Sequence, residues 1–122
     1  MSKLKVLVVD DEPGWRDFLS LELSSEDRCV TTASNAMQAL DLLRQEPFDL
    51  VITDVRMPGK FDGIDLIQVY RRENPAQKAI FMTGYAVEEK IEHALEAGHA
   101  VCLRKPFLNE ALLKAVQTLW AE

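Results

Sequence analysis

Short apolar runs alternate with amphipathic segments along the chain. The runs are rich in β-branched residues and are bounded by Gly, Pro, Asp or Asn; in order they are KVLVVD, CVTTA, DLVITDV, KAIFMTG and AVCLRK. Runs of this length and composition, set between turn-forming residues, are typical of strands in a buried sheet. The pattern therefore predicts five β-strands.

Between and after these runs, apolar residues recur at the three- and four-residue spacing of a helix. Five stripes show this spacing: Trp15, Phe18, Leu19 and Leu23; Ala36, Ala39, Leu40 and Leu43; Gly63, Leu66, Ile67 and Tyr70; Val87, Ile91, Ala94 and Leu95; and Leu108, Leu112, Ala115, Val116 and Leu119. Pro47, Pro75 and Gly98 suit helix ends. Five strands alternating with five helices predict an α/β fold, with a parallel sheet covered on both faces.

Size and composition narrow the class of protein. A chain of 122 residues is expected to form one domain, residues 1–122. The formal net charge of -6 argues against direct nucleic-acid binding, because phosphate contacts need a concentrated positive surface. No apolar run is long enough to span a membrane, and the first residues turn acidic too early for a secretory signal. The expected location is the cytoplasm.

The predicted strands end in residues that can do chemistry. Asp10 and Asp11 end the first strand, Asp54 the third, Thr83 the fourth and Lys105 the fifth. Because the carboxyl ends of parallel strands meet at one edge of a sheet, where open α/β sheets bind their ligands, we expect these side chains to lie together.

Three carboxylates at one edge require a cation. Two carboxylates about 4 Å apart repel by roughly 4 kcal/mol at an effective dielectric constant near 20. Oxygen ligands without nearby His or Cys favour Mg²⁺ over zinc. Such a site binds a phosphoryl group, whose oxygens the metal and Lys105 neutralise while a carboxylate attacks phosphorus. Asp54 is the best-placed nucleophile because it ends the central apolar strand.

Four segments, VLVVDDEP, DLVITDVRMPGKFDGIDL, AIFMTGY and CLRKPF, resemble the receiver domain of bacterial two-component response regulators, of the chemotaxis-regulator type. The resemblance covers essentially the whole chain. It implies a flavodoxin-like, doubly wound sheet of strand order 2-1-3-4-5. It also implies that Asp54 accepts a phosphoryl group from a sensor histidine kinase or a histidine phosphotransfer protein, which switches an output surface.

The same matching implies a role for each site residue. Asp11 and Asp54 would bind Mg²⁺ directly, together with the backbone carbonyl of Arg56, and Asp10 would act mainly through water. Lys105 would hold one phosphoryl oxygen.

On activation, the resemblance implies, Thr83 moves inward to bond a second phosphoryl oxygen. The peptide before Pro106 is cis in this family. The fourth helix, fifth strand and fifth helix form the usual output face, which is also a possible homodimer contact. The domain would not be an enzyme: it would catalyse only its own phosphorylation, including from acetyl phosphate, and its own slow dephosphorylation.

Three features depart from the family pattern. Cys102 stands where the family commonly has the Tyr or Phe that moves with the threonine, and Tyr85 is a possible substitute. The loop after Asp54 has one extra residue, so we expect a local bulge and an intact site. Arg56 and Tyr85 flank the phosphoryl position, and replacing either by Ala is expected to alter the dephosphorylation rate more than the Mg²⁺ affinity.

Three other functions remain as alternatives. An aspartate-nucleophile, Mg²⁺-dependent phosphohydrolase would need a second Asp at the position of Arg56. A flavodoxin-like cofactor protein would need a phosphate-binding loop after the first strand, where this chain has carboxylates. An unphosphorylated pseudo-receiver would serve only for docking.

Overall fold

The structure is a computed structural model that describes residues 3–84 and 89–121. Five parallel strands form one sheet in the order β2-β1-β3-β4-β5, which confirms the predicted topology. The strands are β1 (Leu4–Val9), β2 (Arg28–Ala33), β3 (Leu50–Asp54), β4 (Lys78–Thr83) and β5 (Ala100–Arg104).

Each strand is followed by a helix, as the alternating pattern predicts. The helices are α1 (Pro13–Leu23), α2 (Ala36–Gln45), α3 (Gly63–Arg71), α4 (Glu89–Glu96) and α5 (Asn109–Ala121). Helices α1 and α5 cover one face of the sheet, and α2, α3 and α4 cover the other. Within the described ranges, no helix combines the length and the apolar character needed to cross a membrane.

The sheet lies between two apolar layers. Alternate residues of β1 and β3 point to opposite faces, so Leu7 and Val51 join the layer under α2, α3 and α4 while Val8 and Ile52 join the layer under α1 and α5. All five residues of β3 are buried. This central position explains why the strand is a continuous apolar run rather than an alternating one.

Side chains of the connecting loops determine where two helices begin. Asn35 caps α2 by accepting a hydrogen bond from the backbone N–H of Gln38 at 2.8 Å. Asp62 caps α3 by accepting from the N–H groups of Ile64 and Asp65, both at 2.9 Å, and the Asp65 carboxylate accepts from the N–H of Asp62 at 3.0 Å. This reciprocal capping box fixes the start of α3 directly beyond the end of β3.

One apolar residue lies elsewhere than the helical stripe predicts. Leu108 is 77% exposed and precedes α5, where its backbone oxygen accepts hydrogen bonds from Ala111 and Leu112. Because the helix begins only at Asn109, Leu108 is not held on its buried face, and the prediction was wrong for this residue. The other described residues of the stripes are buried or half-buried, and Val87 lies outside the described residues.

Gly63 allows α3 to approach the end of β3 closely. A Cβ atom at this position would overlap the backbone oxygen of Asp54 and lie 2.7 Å from Oγ1 of Thr53. The Gly63 N–H donates to the backbone oxygen of Val55 at 3.2 Å, so the chain returns to the strand end after a loop in which Gly59 has a φ of 100°. The loop that contains the extra residue therefore closes back onto the end of β3 at the start of α3.

We expect Gly63→Ala to lower the free energy of unfolding by about 2 kcal/mol, because the added methyl group meets backbone atoms that cannot move aside easily. Urea denaturation measures the change. Gly14→Ala is the matched control, since a Cβ at Gly14 meets nothing within 4 Å, and its stability should be unchanged or higher by up to about 1 kcal/mol. Equal stability of the Gly63 variant and the parent would contradict the close approach.

Candidate functional site

The strand ends bring the predicted residues to one edge of the sheet. β1 and β3 are neighbours and pair Val9 with Thr53, so the residues that follow, Asp10 and Asp54, lie side by side. β4 ends at Thr83, and β5 is followed at once by Lys105. The topology and the register therefore bring these four strand-end positions to one edge of the sheet.

Lys105 contacts two of the carboxylates. Its Nζ lies 2.6 Å from Oδ2 of Asp10 and 3.6 Å from Oδ1 of Asp54. The lysine side chain is only 10% exposed. A charged group removed from water in this way needs opposite charges beside it, and Asp10 and Asp54 provide them.

Asp10 is fully buried and held from several sides. Its Oδ1 accepts a hydrogen bond from the N–H of Glu12 at 2.9 Å, while Oδ2 contacts Lys105. Its backbone oxygen accepts from Nη1 of Arg16 at 2.7 Å, and its N–H donates to the backbone oxygen of Ala33. These contacts satisfy the buried carboxylate and fix the turn between β1 and α1.

Asp54 is also buried, yet its charge is poorly compensated. The pKa of Asp54 is raised from 3.8 to about 6: burial is the largest cause, the negative charges of Asp10, Asp11 and Glu12 add to the rise, and Lys105 acts in the opposite direction. The site therefore holds more negative charge than Lys105 can neutralise.

An open pocket of about 400 Å³ gives access to Asp54. Its walls carry the acidic residues Asp11 and Glu12 as well as Lys105, and the remaining lining residues are Asp54, Arg56 and Gly84. Asp11, Glu12 and Arg56 are exposed, whereas Asp54 lies at the base of the site. Two of the residues implied as metal ligands, Asp11 and Arg56, thus share a pocket with the candidate nucleophile.

The donor set fits a hard divalent cation. One carboxylate oxygen from each of Asp10, Asp11 and Glu12 can be chosen so that all three lie within 4.8 Å of one another. Together with the raised pKa of Asp54, this cluster of oxygens suits Mg²⁺, which takes carboxylate and water ligands.

Thr83 and the loop after β5 are joined through the backbone. Thr83 is buried, and its carbonyl oxygen accepts a hydrogen bond from the N–H of Lys105 at 2.7 Å. The peptide between Lys105 and Pro106 is cis, as the family resemblance implies. Cys102 is half-buried in β5, where burial raises the pKa of its thiol. Tyr85, the other candidate for the aromatic switch position, lies outside the described residues.

Sequence reasoning missed two residues of the site. Glu12 is not among the predicted site residues; it directly precedes the first helical residue, Pro13, and it also lines the pocket beside Asp11. Trp15 was assigned to the apolar stripe of α1, yet its ring lies against the ammonium group of Lys105, with the ring centroid 4.7 Å from Nζ. The signal that could have found Glu12 is its place directly after two site carboxylates.

We expect Asp54→Asn to stabilise the protein without divalent cations at about pH 7.5. The carboxyl group of Asp54 has a pKa of 3.8 in the unfolded chain and of about 6 in the folded protein. Ionised Asp54 at a pH above about 6 therefore destabilises the folded state by about 2–3 kcal/mol. Urea denaturation in EDTA should show a higher free energy of unfolding for the variant at pH 7.5, and little difference below about pH 4. A destabilised variant at pH 7.5 would contradict this charge balance.

Comparisons with known proteins agree with this geometry. The family model of the response regulator receiver domain matches residues 6–117. A 14.6 kDa protein of Leptolyngbya boryana is 40% identical over 119 residues, which are 96% of this chain and 90% of that protein. Sporulation initiation phosphotransferase F of Bacillus subtilis is 32% identical over 96% of this chain and 94% of its own length.

A longer relative and a solved structure extend the comparison. The response regulator protein PilR of Pseudomonas aeruginosa is 38% identical over 87% of this chain, which spans only 24% of PilR. The crystal structure of the chemotaxis protein CheY4 of Vibrio cholerae superposes with a TM-score of 0.86 at 30% identity, covering 97% of this chain and 99% of that one. The chain belongs to the response regulator receiver domain family of two-component signalling systems.

Proposed function

We propose that residues 1–122 form one receiver domain that works in the cytoplasm as a phosphorylation-activated switch. In this proposal Asp54 accepts a phosphoryl group from a phosphohistidine on a sensor histidine kinase or a histidine phosphotransfer protein. The observation that carries the proposal is the buried Asp54 carboxylate, which opens into an acidic pocket and lies 3.6 Å from the Lys105 ammonium.

Asp54 can serve as a nucleophile near neutral pH. With a pKa of about 6, its carboxyl group is mostly ionised at pH 7 and above, and burial leaves it poorly solvated. A carboxylate held in this way can attack phosphorus once the incoming phosphoryl charge is neutralised.

The transfer exchanges one bond to phosphorus for another. An Asp54 carboxylate oxygen forms the new O–P bond while the bond from phosphorus to the histidine nitrogen breaks, and the leaving nitrogen keeps the electron pair. With acetyl phosphate, the P–O bond to the acetyl group breaks instead and acetate leaves. Lys105 holds one phosphoryl oxygen, and Thr83 hydrogen-bonds a second after the transfer.

The acidic pocket is the proposed Mg²⁺ site. Receiver domains bind Mg²⁺ at this pocket, and Asp11, Asp54 and the backbone carbonyl of Arg56 would hold the ion, with Asp10 acting through water. Bound there, Mg²⁺ supplies positive charge to the phosphoryl oxygens. Glu12, which lies in the same cluster, would add to the negative field that attracts the ion.

Two of the alternatives are less well supported by the site. A phosphohydrolase would need an acid two residues after Asp54, but that residue is Arg56, whose guanidinium stays protonated and cannot exchange a proton with the substrate. A docking-only pseudo-receiver would not need a buried carboxylate at Asp54 beside the Lys105 ammonium. The proposed domain is therefore a phosphoacceptor and not a turnover enzyme.

The proposed output surface consists of α4, β5 and α5, which is also a possible homodimer contact. Cys102 lies on β5, at the position where the family commonly has an aromatic residue. With a net charge of -6, we assign no direct nucleic-acid contact to this domain. Its proposed partners are the kinase or phosphotransfer protein and a downstream protein or domain.

Incubation with Mg²⁺ and acetyl phosphate, or with a phosphorylated kinase, tests the proposal directly. Intact mass spectrometry should show a single phosphoryl adduct that is stable to acid and labile to base, as expected of an acyl phosphate. EDTA should prevent its formation. Asp54→Asn should abolish the adduct, because it removes the attacking carboxylate.

Asp49→Asn is the matched control, since Asp49 is exposed and immediately precedes β3, at the opposite end of the strand from Asp54. That variant should be phosphorylated like the parent. An adduct that persists in Asp54→Asn would place the acceptor elsewhere. If no donor produces an adduct, the docking-only function is the one that remains. Multiple-turnover release of phosphate would instead favour the phosphohydrolase.

A further inference from the structure

Lys105 has a third neighbour besides its two carboxylates. Its Nζ lies 4.7 Å from the centroid of the Trp15 ring, well within the range of about 6 Å for a cation–π contact. We propose that Trp15 is a positioning residue that holds the Lys105 ammonium beside Asp54 through this contact. The inference rests on the proposed phosphoacceptor function for its effect on rate, but the position of Lys105 can be measured independently.

The lysine needs such support because its side chain is flexible. Four rotatable bonds separate the ammonium from the backbone, and ordering them costs conformational entropy. The carboxylate of Asp10 is 2.6 Å from Nζ, whereas that of Asp54 is 3.6 Å away. Asp10 alone would therefore draw the ammonium toward itself and away from the candidate nucleophile.

The Trp15 ring can hold the Lys105 ammonium without determining which oxygen acceptor the ammonium binds. A cation over an aromatic face keeps its attraction when it shifts by a fraction of an ångström, and its N–H groups remain available to oxygen acceptors. Lys105 can thus exchange one oxygen partner for another while it stays over the ring. This property suits a lysine that must leave a carboxylate contact to bind a phosphoryl oxygen.

The ring itself is fixed by two other aromatic side chains. Trp15 contacts Phe18 in a T-shaped arrangement, with centroids 5.6 Å apart, and Phe107 in a tilted one at 5.1 Å. Phe18 and Phe107 also contact each other. Because Trp15 and Phe18 belong to α1 while Phe107 follows Lys105 by two residues, the cluster joins the start of α1 to the loop that carries the lysine.

A purely structural role for this cluster makes a different prediction. If Trp15 only filled apolar space, a ring of the same shape would serve equally well whatever its electron density. Fluorinated tryptophans separate the two roles, because each fluorine withdraws density from the ring face with little change in size. The attraction for an ammonium then falls stepwise while the packing against Phe18 and Phe107 is nearly preserved.

The chain offers a matched internal control for this test. It has two tryptophans, and the ring of Trp120 lies over Nζ of Lys78 at 5.1 Å, at the opposite end of the sheet from Asp54. In a Trp120→Phe background, fluorotryptophan labels only Trp15. In a Trp15→Phe background, it labels only Trp120, where a similar cation–π contact has no bearing on the site.

Tryptophans with zero to three ring fluorines are incorporated into both backgrounds, and the rate of Asp54 phosphorylation by acetyl phosphate with Mg²⁺ is measured. With label at Trp15, the logarithm of the rate should fall steadily with fluorination, by about 3- to 30-fold over the series. With label at Trp120, the rate should not change. A flat Trp15 series, or equal slopes in the two backgrounds, would overturn the positioning role.

An NMR measurement tests the position of Lys105 without any phosphorylation. The ε-methylene protons of Lys105 should show an upfield ring-current shift in the parent, and Trp15→Leu should remove it. An absent shift in the folded parent would overturn the inference even if Asp54 is phosphorylated. A clear shift in a parent that no donor phosphorylates would uphold the positioning of Lys105 and overturn the proposed function instead.

Discussion

One ammonium group faces an excess of carboxylates at the carboxyl edge of the sheet. Lys105 lies 2.6 Å from Asp10 and 3.6 Å from Asp54, while Asp11 and Glu12 add two more negative charges beside them. Buried charges are tolerated only when they are paired, and the Lys105 ammonium is the charged neighbour of two buried carboxylates at once, Asp10 and Asp54. Burial is the largest cause of the raised pKa of Asp54, and the negative charges of Asp10, Asp11 and Glu12 add to it. The same excess of carboxylate oxygens makes the pocket suitable for a hard divalent cation.

The packed sheet and the adjoining helices hold these mutually repelling carboxylates in place. Apolar layers on both faces bury the strands up to the residues that end them, so Asp10 and Asp54 cannot move apart without disrupting the sheet. Gly63 lets α3 begin directly against the backbone of Asp54. Arg16 of α1 donates a hydrogen bond to the backbone oxygen of Asp10. The first turn of α1 also carries Trp15, which extends the support to Lys105.

Much of this arrangement could be predicted from the sequence because it depends on backbone periodicity. The alternation of apolar runs and stripes gives the strands and helices, and parallel strands necessarily bring their carboxyl ends to one edge, which places Asp10, Asp54 and Lys105 together. The apolar pattern gave the wrong result for Leu108. The spacing of four residues between Leu108 and Leu112 does not show whether the helix begins before or after Leu108, and it begins after it. The role of Trp15 could not be predicted either, since the same residue satisfies the pattern of a buried helix face and only tertiary contacts place Lys105 over its ring.

A ¹³C NMR titration of the Asp54 carboxyl group measures how burial and the neighbouring charges affect this residue. Without divalent cations, the Asp54 resonance should titrate with a midpoint near 6, well above the ordinary value of 3.8. Added Mg²⁺ should move the midpoint to lower pH, because the cation stabilises the ionised carboxylate. A midpoint near 3.8 in the absence of cations, with no response to Mg²⁺, would show that Asp54 is neither perturbed by its surroundings nor part of a cation site.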